Sequence, residues 1–367
     1  MNIRGVNLGG WLVLEKWIKP ELFTGTDAED DYHLTRALPQ EEYRERITQH
    51  RKSFIREVDF AFLAECGINT IRVPVPFYIF GDRSPYLGCL EYLDFAFDMA
   101  EKYGQKILID LHTVPGSQNG FDNGGICGVC KWAGQPDEVE FVLSLLEKLA
   151  IRYGQREGLW GIQPLNEPIT DAITGDKPWE ECWIRGNYPP KSPEEEAGSA
   201  PIKLSFLKEF YQKAYDRVTP HLAEGKLFVI HDAFRPQLWK DSMRENRARN
   251  LVLDNHFYLN NLEIAGCPRA VEAYDRMIAQ RFVPILEEIS QSFPIIIGEW
   301  SLDNGCARDC GSREEKEKAY RAVAEIQQRA WEHTAGSFFW TYRILSDDTD
   351  KVDAWSFEKA RIRLQNR

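Results

Sequence analysis

The sequence predicts an α/β fold, a single (β/α)8 TIM barrel of residues 1–367 with long loops on its C-terminal face. Short, nearly continuous apolar runs recur along the chain, as expected of strands buried on both faces. An amphipathic segment follows each run, and about eight such repeats favour a closed parallel barrel. An open doubly wound sheet is the alternative, but its phosphate-binding glycine fingerprint is missing. The predicted strands cover 5–8, 69–73, 106–111, 161–165, 227–230, 251–255, 294–298 and 337–340.

Helices and loops are predicted between these strands. Gly67, Gly104 and Gly154 each follow a helical pattern, at the place where a left-handed C-cap is expected. Two irregular stretches, 15–49 after the first strand and 169–202 after the fourth, are expected to be long loops on the upper face of the barrel. Further helices are predicted over 206–222, 270–291 and 314–333.

The composition excludes several classes of partner. The formal net charge is −12 and the sequence pI is about 5.2, so we expect no binding to nucleic acid or to membranes, which attract basic surfaces. No apolar run approaches the roughly 20 residues of a membrane helix. A strand-like segment begins almost at Met1, which leaves no room for a signal peptide. We expect a cytoplasmic protein, or a secreted or periplasmic one whose leader has been removed, that acts as a monomer or homodimer.

The eight cysteines are too few for a dense disulfide framework in a chain of this length. Cys127 and Cys130 are closely spaced, and so are Cys306 and Cys310. Plain thiols are expected, or local disulfides if the protein is exported. A zinc site that combines the two pairs is the third alternative.

Polar residues cluster where the predicted strands end. In a (β/α)8 barrel these ends meet at the face that carries functional side chains. Taken singly, a histidine or arginine at such a place is more often structural, but three of the seven histidines fall at these few positions. A shared site explains this better than coincidence does. The residues are Arg72, His112, Asn166, Glu167, His231, Asp232, His256, Tyr258, Glu299 and Trp340.

Two of these residues, Glu167 and Glu299, are carboxylates on strands four and seven. Cleavage of a glycosidic bond needs such a pair, because one carboxyl protonates the leaving oxygen while the other attacks the sugar or activates water. Tyr258 and Arg72 are expected to keep Glu299 ionised, since hydrogen bonds and a nearby cation favour the charged form. Glu167 is then expected to be the protonated partner, and Trp340 to provide a flat floor for a sugar ring.

Longer motifs surround this pair of glutamates. They are GVNLGGWLVLE at 5–15, PGSQNGFDN at 115–123, DYH at 31–33 and HDAF at 231–234. Together with the polar residues at the strand ends, these motifs resemble glycoside hydrolase family 5, and within it the exo-β-1,3-glucanases of fungal type. The resemblance extends from the first predicted strand to the last, and it implies one catalytic domain.

The resemblance implies a retaining double displacement in which Glu299 is the nucleophile and Glu167 the general acid/base. No metal or organic cofactor is expected. Glu15, Asp122 and Asn123 are implied to bind the hydroxyls of a terminal glucose in a closed pocket. The other polar residues at the strand ends are implied to support substrate binding. The implied activity is the release of glucose from the non-reducing end of β-1,3-glucans.

One position departs from the fungal pattern. Phe121 is implied to form one wall of an aromatic gate at the next sugar site, but the place of its partner is taken by Asn261. The linkage preference is therefore open. A β-glucosidase for another linkage or aglycone, such as a β-1,6-linked, alkyl or lipid glucoside, is the leading alternative, followed by an endo-β-glucanase. A non-catalytic carbohydrate-binding barrel is disfavoured by the intact Glu167 and Glu299.

Overall fold

Eight parallel strands close into a barrel in which they neighbour one another in the order of the chain. The computed structural model describes residues 3–175, 177–247 and 250–364. The predicted fold class is confirmed, and each predicted apolar run overlaps one strand. The strands are β1 Ile3–Asn7, β2 Thr70–Val75, β3 Lys106–Leu111, β4 Leu159–Gln163, β5 Leu227–His231, β6 Leu251–His256, β7 Ile295–Trp300 and β8 Gly336–Phe339.

The observed strand ends differ from the predicted ones at two places that matter for the site. The second strand is predicted to end at residue 73, but β2 continues to Val75, and Pro74 pairs in register with β3. Proline lacks the N–H of a sheet ladder and usually marks a strand boundary, which made this prediction wrong. Conversely, β4 ends at Gln163, so that Asn166 and Glu167 lie on the loop beyond it.

Helices surround the barrel and also build its long upper loops. Those in 169–202 have only four or five residues each, too few to show a periodic apolar pattern in the sequence. Short 3₁₀ helices cover Pro20–Phe23, Asp122–Gly124, Trp132–Gly134, Trp179–Glu181, Thr219–His221 and Pro236–Trp239. The α-helices are α1 Asp31–Ala37, α2 Gln40–Phe54, α3 Glu57–Glu65, α4 Leu90–Lys102, α5 Pro136–Tyr153, α6 Asp171–Thr174, α7 Trp183–Asn187, α8 Pro193–Glu196, α9 Leu204–Val218, α10 Arg244–Arg247, α11 Leu259–Ile264, α12 Val271–Met277, α13 Val283–Ser290, α14 Gly305–Asp309, α15 Arg313–Trp331, α16 Thr349–Trp355 and α17 Phe357–Leu364.

The helix predicted over 270–291 is interrupted. A π-helical segment, Ile278–Phe282, separates α12 from α13, and Pro284 lies in the first turn of α13. A proline cannot donate to the carbonyl four residues before it, and its ring clashes with that carbonyl, so the α-helical ladder is broken here. The other two predicted helices are confirmed by α9 and α15.

The three glycines that follow helical patterns differ in backbone conformation. Gly67 and Gly104 have φ of +77° and +69°, as expected of left-handed caps. Gly154 has φ −59° and ψ −27°, so the same prediction is wrong for it. A Cβ at this position would lie 2.2 Å from the carbonyl oxygen of His221 and 2.4 Å from that of Ala150. Close approach of two backbone segments, and not a left-handed turn, therefore requires glycine here.

The barrel interior changes from apolar to charged along the strands. Its lower layer is a cluster of buried apolar side chains from seven strands, namely Ile3, Leu108, Trp160, Val229, Val252, Ile296 and Phe338. Two residues further along their strands, Asp110, His231 and Asp254 are also fully buried. Because alternate residues of a barrel strand point inward, these polar groups form the next layer, directly below the C-terminal face. No helix in the described part of the chain is long and apolar enough to cross a membrane.

Candidate active site

Arg72 is the centre of a buried hydrogen-bond network at the C-terminal end of the barrel. Its Nη1 donates to Glu299 Oε1 over 2.8 Å, and its Nη2 donates to Asn166 Oδ1 over 2.7 Å. Its Nε donates to Gln163 Oε1 over 3.0 Å, and Asp110 Oδ2 lies 3.1 Å from Nη2. A planar guanidinium holds its acceptors in fixed directions. Arg72 therefore orients both Glu299 and Asn166.

Glu299 lies within β7 and faces the neighbouring strand β6. The register of these two strands shifts just before His256, which places His256 opposite Glu299. A shift of this kind re-aims side chains next to it. Glu299 Oε2 accepts a hydrogen bond from Tyr258 Oη over 2.7 Å. Beside it, the N–H of Gly298 donates to Asp254 Oδ1 over 2.7 Å, and a Cβ at that position would lie 2.2 Å from this oxygen. Glycine is therefore needed at the centre of the site.

Glu167 reaches the same region from the loop after β4. Its φ of +45° is in the left-handed region, which is uncommon for a residue with a side chain and is retained where the surroundings hold it. Its Oε1 lies 2.8 Å from His256 Nδ1, and its Oε2 accepts from Asn123 Nδ2 over 3.0 Å. His256 Nε2 lies 3.2 Å from Asp254 Oδ2. His256 is thus held between two carboxylates.

His256 also limits the separation of the two glutamates. Its Nδ1, 2.8 Å from Glu167 Oε1, lies 3.4 Å from Glu299 Oε2. Because one atom contacts both oxygens, these oxygens are at most about 6 Å apart. Retaining glycosidases hold their carboxyl groups about 5–5.5 Å apart, whereas inverting enzymes leave about 6.5–9.5 Å for a water molecule.

The protonation states differ from the sequence expectation. Burial raises the pKa of Glu167, but the hydrogen bond and charge of His256 outweigh burial and lower this pKa to about 2. Burial lowers the pKa of His256, but the charges of Glu299 and Asp254 raise it well above its ordinary value. Burial raises the pKa of Glu299, and the charge of Glu167 adds to the rise. The expectation of a protonated Glu167 is therefore wrong for the resting state, because the proton of the Glu167–His256 pair rests on the imidazole.

Glu15 and Asp122 add two further carboxyl groups to the electrostatics of the site. Desolvation raises the pKa of Glu15 well above its ordinary value, and the charges of Asp122 and Glu299 add to the rise. Desolvation also raises the pKa of Asp122 to about 6. Glu15 Oε2 accepts from Trp17 Nε1 over 3.0 Å, whereas its buried Oε1 has no hydrogen-bond partner among the described residues. This oxygen is available to a ligand hydroxyl.

Three more of the predicted residues pack around this centre. His112 Nδ1 lies 2.6 Å from Asp110 Oδ2, and the His112 ring stacks on Trp340 at 5.5 Å between centroids. The ring of His231 lies edge-on to that of His256 at 4.4 Å. Burial lowers the pKa of His231 to about 3, and its Nδ1 accepts from the N–H of Ala233 over 3.0 Å. His231 is therefore neutral and carries its proton on Nε2.

Phe121 has aromatic neighbours, but none of them is at the position implied for its gate partner. Asn261 is an exposed residue of α11, as expected from a gate position that has lost its aromatic side chain. The ring of Phe121 instead lies 5.3 Å from that of Tyr188 and 6.0 Å from that of Trp183. Both neighbours belong to the loop after β4.

Besides Gln163, which accepts from Arg72 Nε, four residues near the site were not predicted from the sequence. Asp110 and Asp254 are charged residues inside otherwise apolar strands, and this anomaly could have identified them. Tyr188 and Trp183 lie in the long loop 169–202 and carry no comparable signal. Their role depends on how this loop folds over the barrel.

The zinc alternative for the two cysteine pairs is not supported. All eight cysteines are free thiols. Among the described residues, the group of three or more His, Cys, Asp or Glu side chains close enough to share a metal ion consists of Glu167, His231 and His256. No cysteine belongs to it. Glu167 and His256 are already hydrogen-bonded to each other, and His231 contacts His256 through the edges of the rings.

Relatives of known name cover almost the whole chain. A probable glucan 1,3-beta-glucosidase A of Aspergillus terreus is 31% identical over 93% of this chain and 83% of its own length. A glucan 1,3-beta-glucosidase of Blumeria graminis is 32% identical over 97% of this chain and 84% of its own length. The corresponding Emericella nidulans protein, a probable glucan 1,3-beta-glucosidase A, is 35% identical over 84% of this chain and 68% of its own length.

A solved structure shares the fold, and a family model covers most of the chain. The fold is similar to that of rutinosidase from Aspergillus niger, with a TM-score of 0.75 and 20% identity over 98% of this chain and 96% of the other. The family model "Cellulase (glycosyl hydrolase family 5)" matches residues 46–343. This match includes the Glu167–His256–Glu299 centre, and the resemblance noted from the motifs is confirmed. The chain belongs to glycoside hydrolase family 5 and is a glycoside hydrolase.

Proposed function

We propose that this enzyme releases glucose from the non-reducing end of β-1,3-glucans by a retaining double displacement in one catalytic domain. The observation that carries the reaction type is the pair of carboxylates, Glu167 and Glu299, each with an oxygen close to the same atom, His256 Nδ1, at 2.8 and 3.4 Å. Carboxyls this close favour retention, because inverting enzymes leave about 6.5–9.5 Å between them for a water molecule. The relatives named glucan 1,3-beta-glucosidase support the substrate class. The partner is a β-glucan or an oligosaccharide, and the protein acts as a monomer or homodimer.

In the first step, a Glu299 oxygen forms a bond to the anomeric carbon while the glycosidic bond breaks. Arg72 and Tyr258, both hydrogen-bonded to Glu299, hold this carboxylate in a fixed orientation. The leaving oxygen takes a proton from Glu167, which receives it from His256 Nδ1 at 2.8 Å. The Glu167–His256 pair therefore supplies one proton in this step, and its net charge falls by one.

In the second step, water attacks the same anomeric carbon. Glu167 accepts a proton from this water, the bond between the sugar and Glu299 breaks, and β-glucose leaves. The proton taken from water restores the Glu167–His256 pair to its resting charge. No further group has to enter or leave, because the pair alternates between donor and acceptor of a single proton.

The buried carboxyl of Glu15 and the half-buried carboxyl of Asp122 support exo action. The unpaired Glu15 Oε1 offers an acceptor to a sugar hydroxyl, and a hydrogen bond to it would remove the cost of leaving this oxygen unsatisfied. Asn123 donates to Glu167 from the same loop as Asp122 and links this loop to the reacting centre. A terminal glucose bound by these groups would have its hydroxyls paired with protein side chains, as exo action requires.

Product analysis with laminaribiose, laminaritriose, cellobiose and gentiobiose tests this proposal. Glucose should appear first from the β-1,3 series, without random shortening of laminarin. Glu299→Ala should abolish the reaction, whereas Glu325→Ala, an exposed position on α15, should retain it. Faster hydrolysis of gentiobiose would favour the β-1,6 alternative, which the exposed Asn261 leaves open. Intermediate-length products from laminarin would contradict exo action.

A further inference from the structure

Three aromatic side chains form a continuous wall beside the reacting centre. The ring of Phe121 lies 5.3 Å from Tyr188 and 6.0 Å from Trp183. Phe121 and Tyr188 are half-buried, whereas Trp183 is 52% exposed and presents a large indole surface to solvent. An exposed tryptophan next to a carbohydrate site is suited to stacking on the apolar face of a sugar ring. We refer to Phe121, Trp183 and Tyr188 as the aromatic wall.

The aromatic wall borders the side of the pocket from which the leaving group departs. Asn123, two residues after Phe121, donates to Glu167 Oε2 over 3.0 Å. Under the proposed function Glu167 protonates the leaving oxygen, so the first ring of the leaving group must lie next to this glutamate. Phe121 is on the same loop as Asn123, and its ring contacts hold Trp183 and Tyr188, from the loop after β4, on the same side. The wall therefore flanks that ring.

The hydroxyl of Tyr188 lies within the electrostatic reach of the pocket carboxyls. Desolvation raises the pKa of this phenol, and the charges of Asp122 and Glu167 raise it further. Tyr188 therefore stays protonated near these carboxyls, with its hydroxyl as a hydrogen-bond donor. A phenol can bind a sugar hydroxyl without adding charge.

The loop that carries Trp183 and Tyr188 is held against its neighbours. A Cβ at Gly128 would lie 2.3 Å from Pro190 N and 2.7 Å from the Tyr188 carbonyl oxygen, so the two loops are in backbone contact. Trp179 Nε1 donates to the Gly128 carbonyl over 2.8 Å. On the other side, Lys191 pairs with Asp27. The aromatic wall is thus preorganised, which reduces the entropy lost on binding.

We propose that Trp183 and Tyr188 determine leaving-group specificity by binding the first glucosyl ring of the leaving group. They take the role of the aromatic gate residue, whose position is occupied by Asn261. The ring stacks on the indole of Trp183 and one of its hydroxyls bonds to Tyr188 Oη. This inference rests on the proposed function, because it takes Glu167 as the group that faces the leaving ring. It predicts that binding of the leaving group, and not the chemistry at the terminal glucose, depends on these two residues.

Kinetics with two substrates test this inference. Laminaribiose has a glucosyl leaving ring, whereas β-glucosyl fluoride occupies the terminal glucose site alone. Trp183→Ala should raise the KM for laminaribiose about 10-fold, while kcat/KM for the fluoride falls less than about 2-fold. Tyr188→Phe should lower kcat/KM for laminaribiose about 5-fold, and Trp183→Phe should restore most of the loss seen in Trp183→Ala.

Two controls distinguish a loss of leaving-group binding from a general effect of truncation and from misfolding. Ile264→Ala removes another exposed apolar side chain, which is 83% accessible on the helix after Tyr258. This variant should change the kinetics with neither substrate. An unchanged thermal unfolding temperature of Trp183→Ala excludes misfolding. An unaltered laminaribiose KM in Trp183→Ala, or equal losses with both substrates, would overturn the inference. A wild-type enzyme that cleaves neither substrate would overturn the proposed function, and the inference with it, before any variant is compared.

Discussion

At the residue scale, His256 connects Glu167, whose pKa is lowered, with Glu299, whose pKa is raised. Its Nδ1 faces Glu167 and Glu299, and its Nε2 faces Asp254, so that three carboxylates surround one imidazole. The resulting imidazolium stabilises Glu167 as an anion at rest. Protonation of Glu167 is then coupled to proton loss from His256, and the pH dependence of the reaction should report the pair and not either group alone.

Replacement of His256 by Gln should narrow the pH profile of kcat/KM on both sides. In the wild type the alkaline limb follows proton loss from His256, whose pKa is raised. Without the imidazole the proton resides on the Glu167 carboxyl, and the alkaline limb should move at least about one pH unit lower. Loss of the positive charge should raise the pKa of Glu299 further and move the acid limb upward. Rates with an aryl glucoside between pH 3 and pH 9 measure this, and an unshifted alkaline limb would contradict it.

Glu167→Gln should affect substrates according to their leaving groups. For laminaribiose, kcat/KM should fall about 10²–10⁴-fold, because a sugar alkoxide cannot leave without a proton. For 2,4-dinitrophenyl glucoside, whose phenolate leaves unprotonated, formation of the glycosyl-enzyme should be nearly unaffected in a pre-steady-state burst. Glu299→Gln, the matched variant of the other carboxylate, should abolish both reactions. Equal losses with both substrates in Glu167→Gln would argue against its acid/base role.

Single residues of this site could be predicted to the extent that their chemistry follows from position on a strand. Glu299 lies near the end of an apolar strand and Glu167 follows one, and the surrounding motifs supported both assignments. The contact of His256 with both glutamates could not be predicted, because it depends on the register shift between β6 and β7. For the same reason, the sequence led to the wrong expectation that Glu167 carries the proton at rest.

At the scale of elements, one histidine ties together two loops of the upper face. His33 Nδ1 lies 2.8 Å from Asp30 Oδ1, and its Nε2 lies 3.2 Å from Glu195 Oε2 in the loop after β4. Asp30 also accepts from the N–H of Cys127 through its second oxygen over 2.8 Å. The long loops after β1, β3 and β4 are therefore joined at a point close to α1.

His33→Ala should destabilise the protein more at low pH than at high pH. Burial lowers the pKa of His33, but Asp30 and Glu195 outweigh burial and raise it. The stabilisation is therefore complete below the unfolded-state pKa near 6.5 and disappears as pH rises through the folded-state value. The thermal unfolding temperature should fall about 1–2 °C at pH 5.5 and remain unchanged at pH 9. Glu195→Gln should show part of the same effect, and a deficit that grows with pH would contradict this sign.

The elements themselves were predictable wherever burial imposes a pattern. All eight strands follow from apolar runs, and α9 and α15 follow from helical periodicity. The break between α12 and α13 depends on one proline, and the short helices of 169–202 are stabilised by tertiary contacts. Two residues of the aromatic wall, Trp183 and Tyr188, lie in this least predictable segment, which explains why they were missed.

At the scale of the whole molecule, the barrel separates stability from chemistry. Apolar side chains fill its lower end, and a buried network centred on Arg72 occupies its upper end. The cost of burying the charged groups there is offset because each contacts a partner of opposite charge or a hydrogen-bond donor. Glu299 belongs to β7 and Glu167 to the loop directly after β4, so both carboxylates are positioned by the barrel. We therefore expect the barrel to determine the stereochemistry of the reaction.

The anomeric configuration of the first product tests the central claim most directly. Proton NMR during the first minutes of laminaribiose hydrolysis distinguishes α- from β-glucose before mutarotation equilibrates them. The separation of at most about 6 Å between the nearest carboxylate oxygens leads us to expect β-glucose first, formed through a glycosyl-enzyme on Glu299. Initial release of α-glucose would mean inversion by direct water attack and would contradict the mechanism built on this pair.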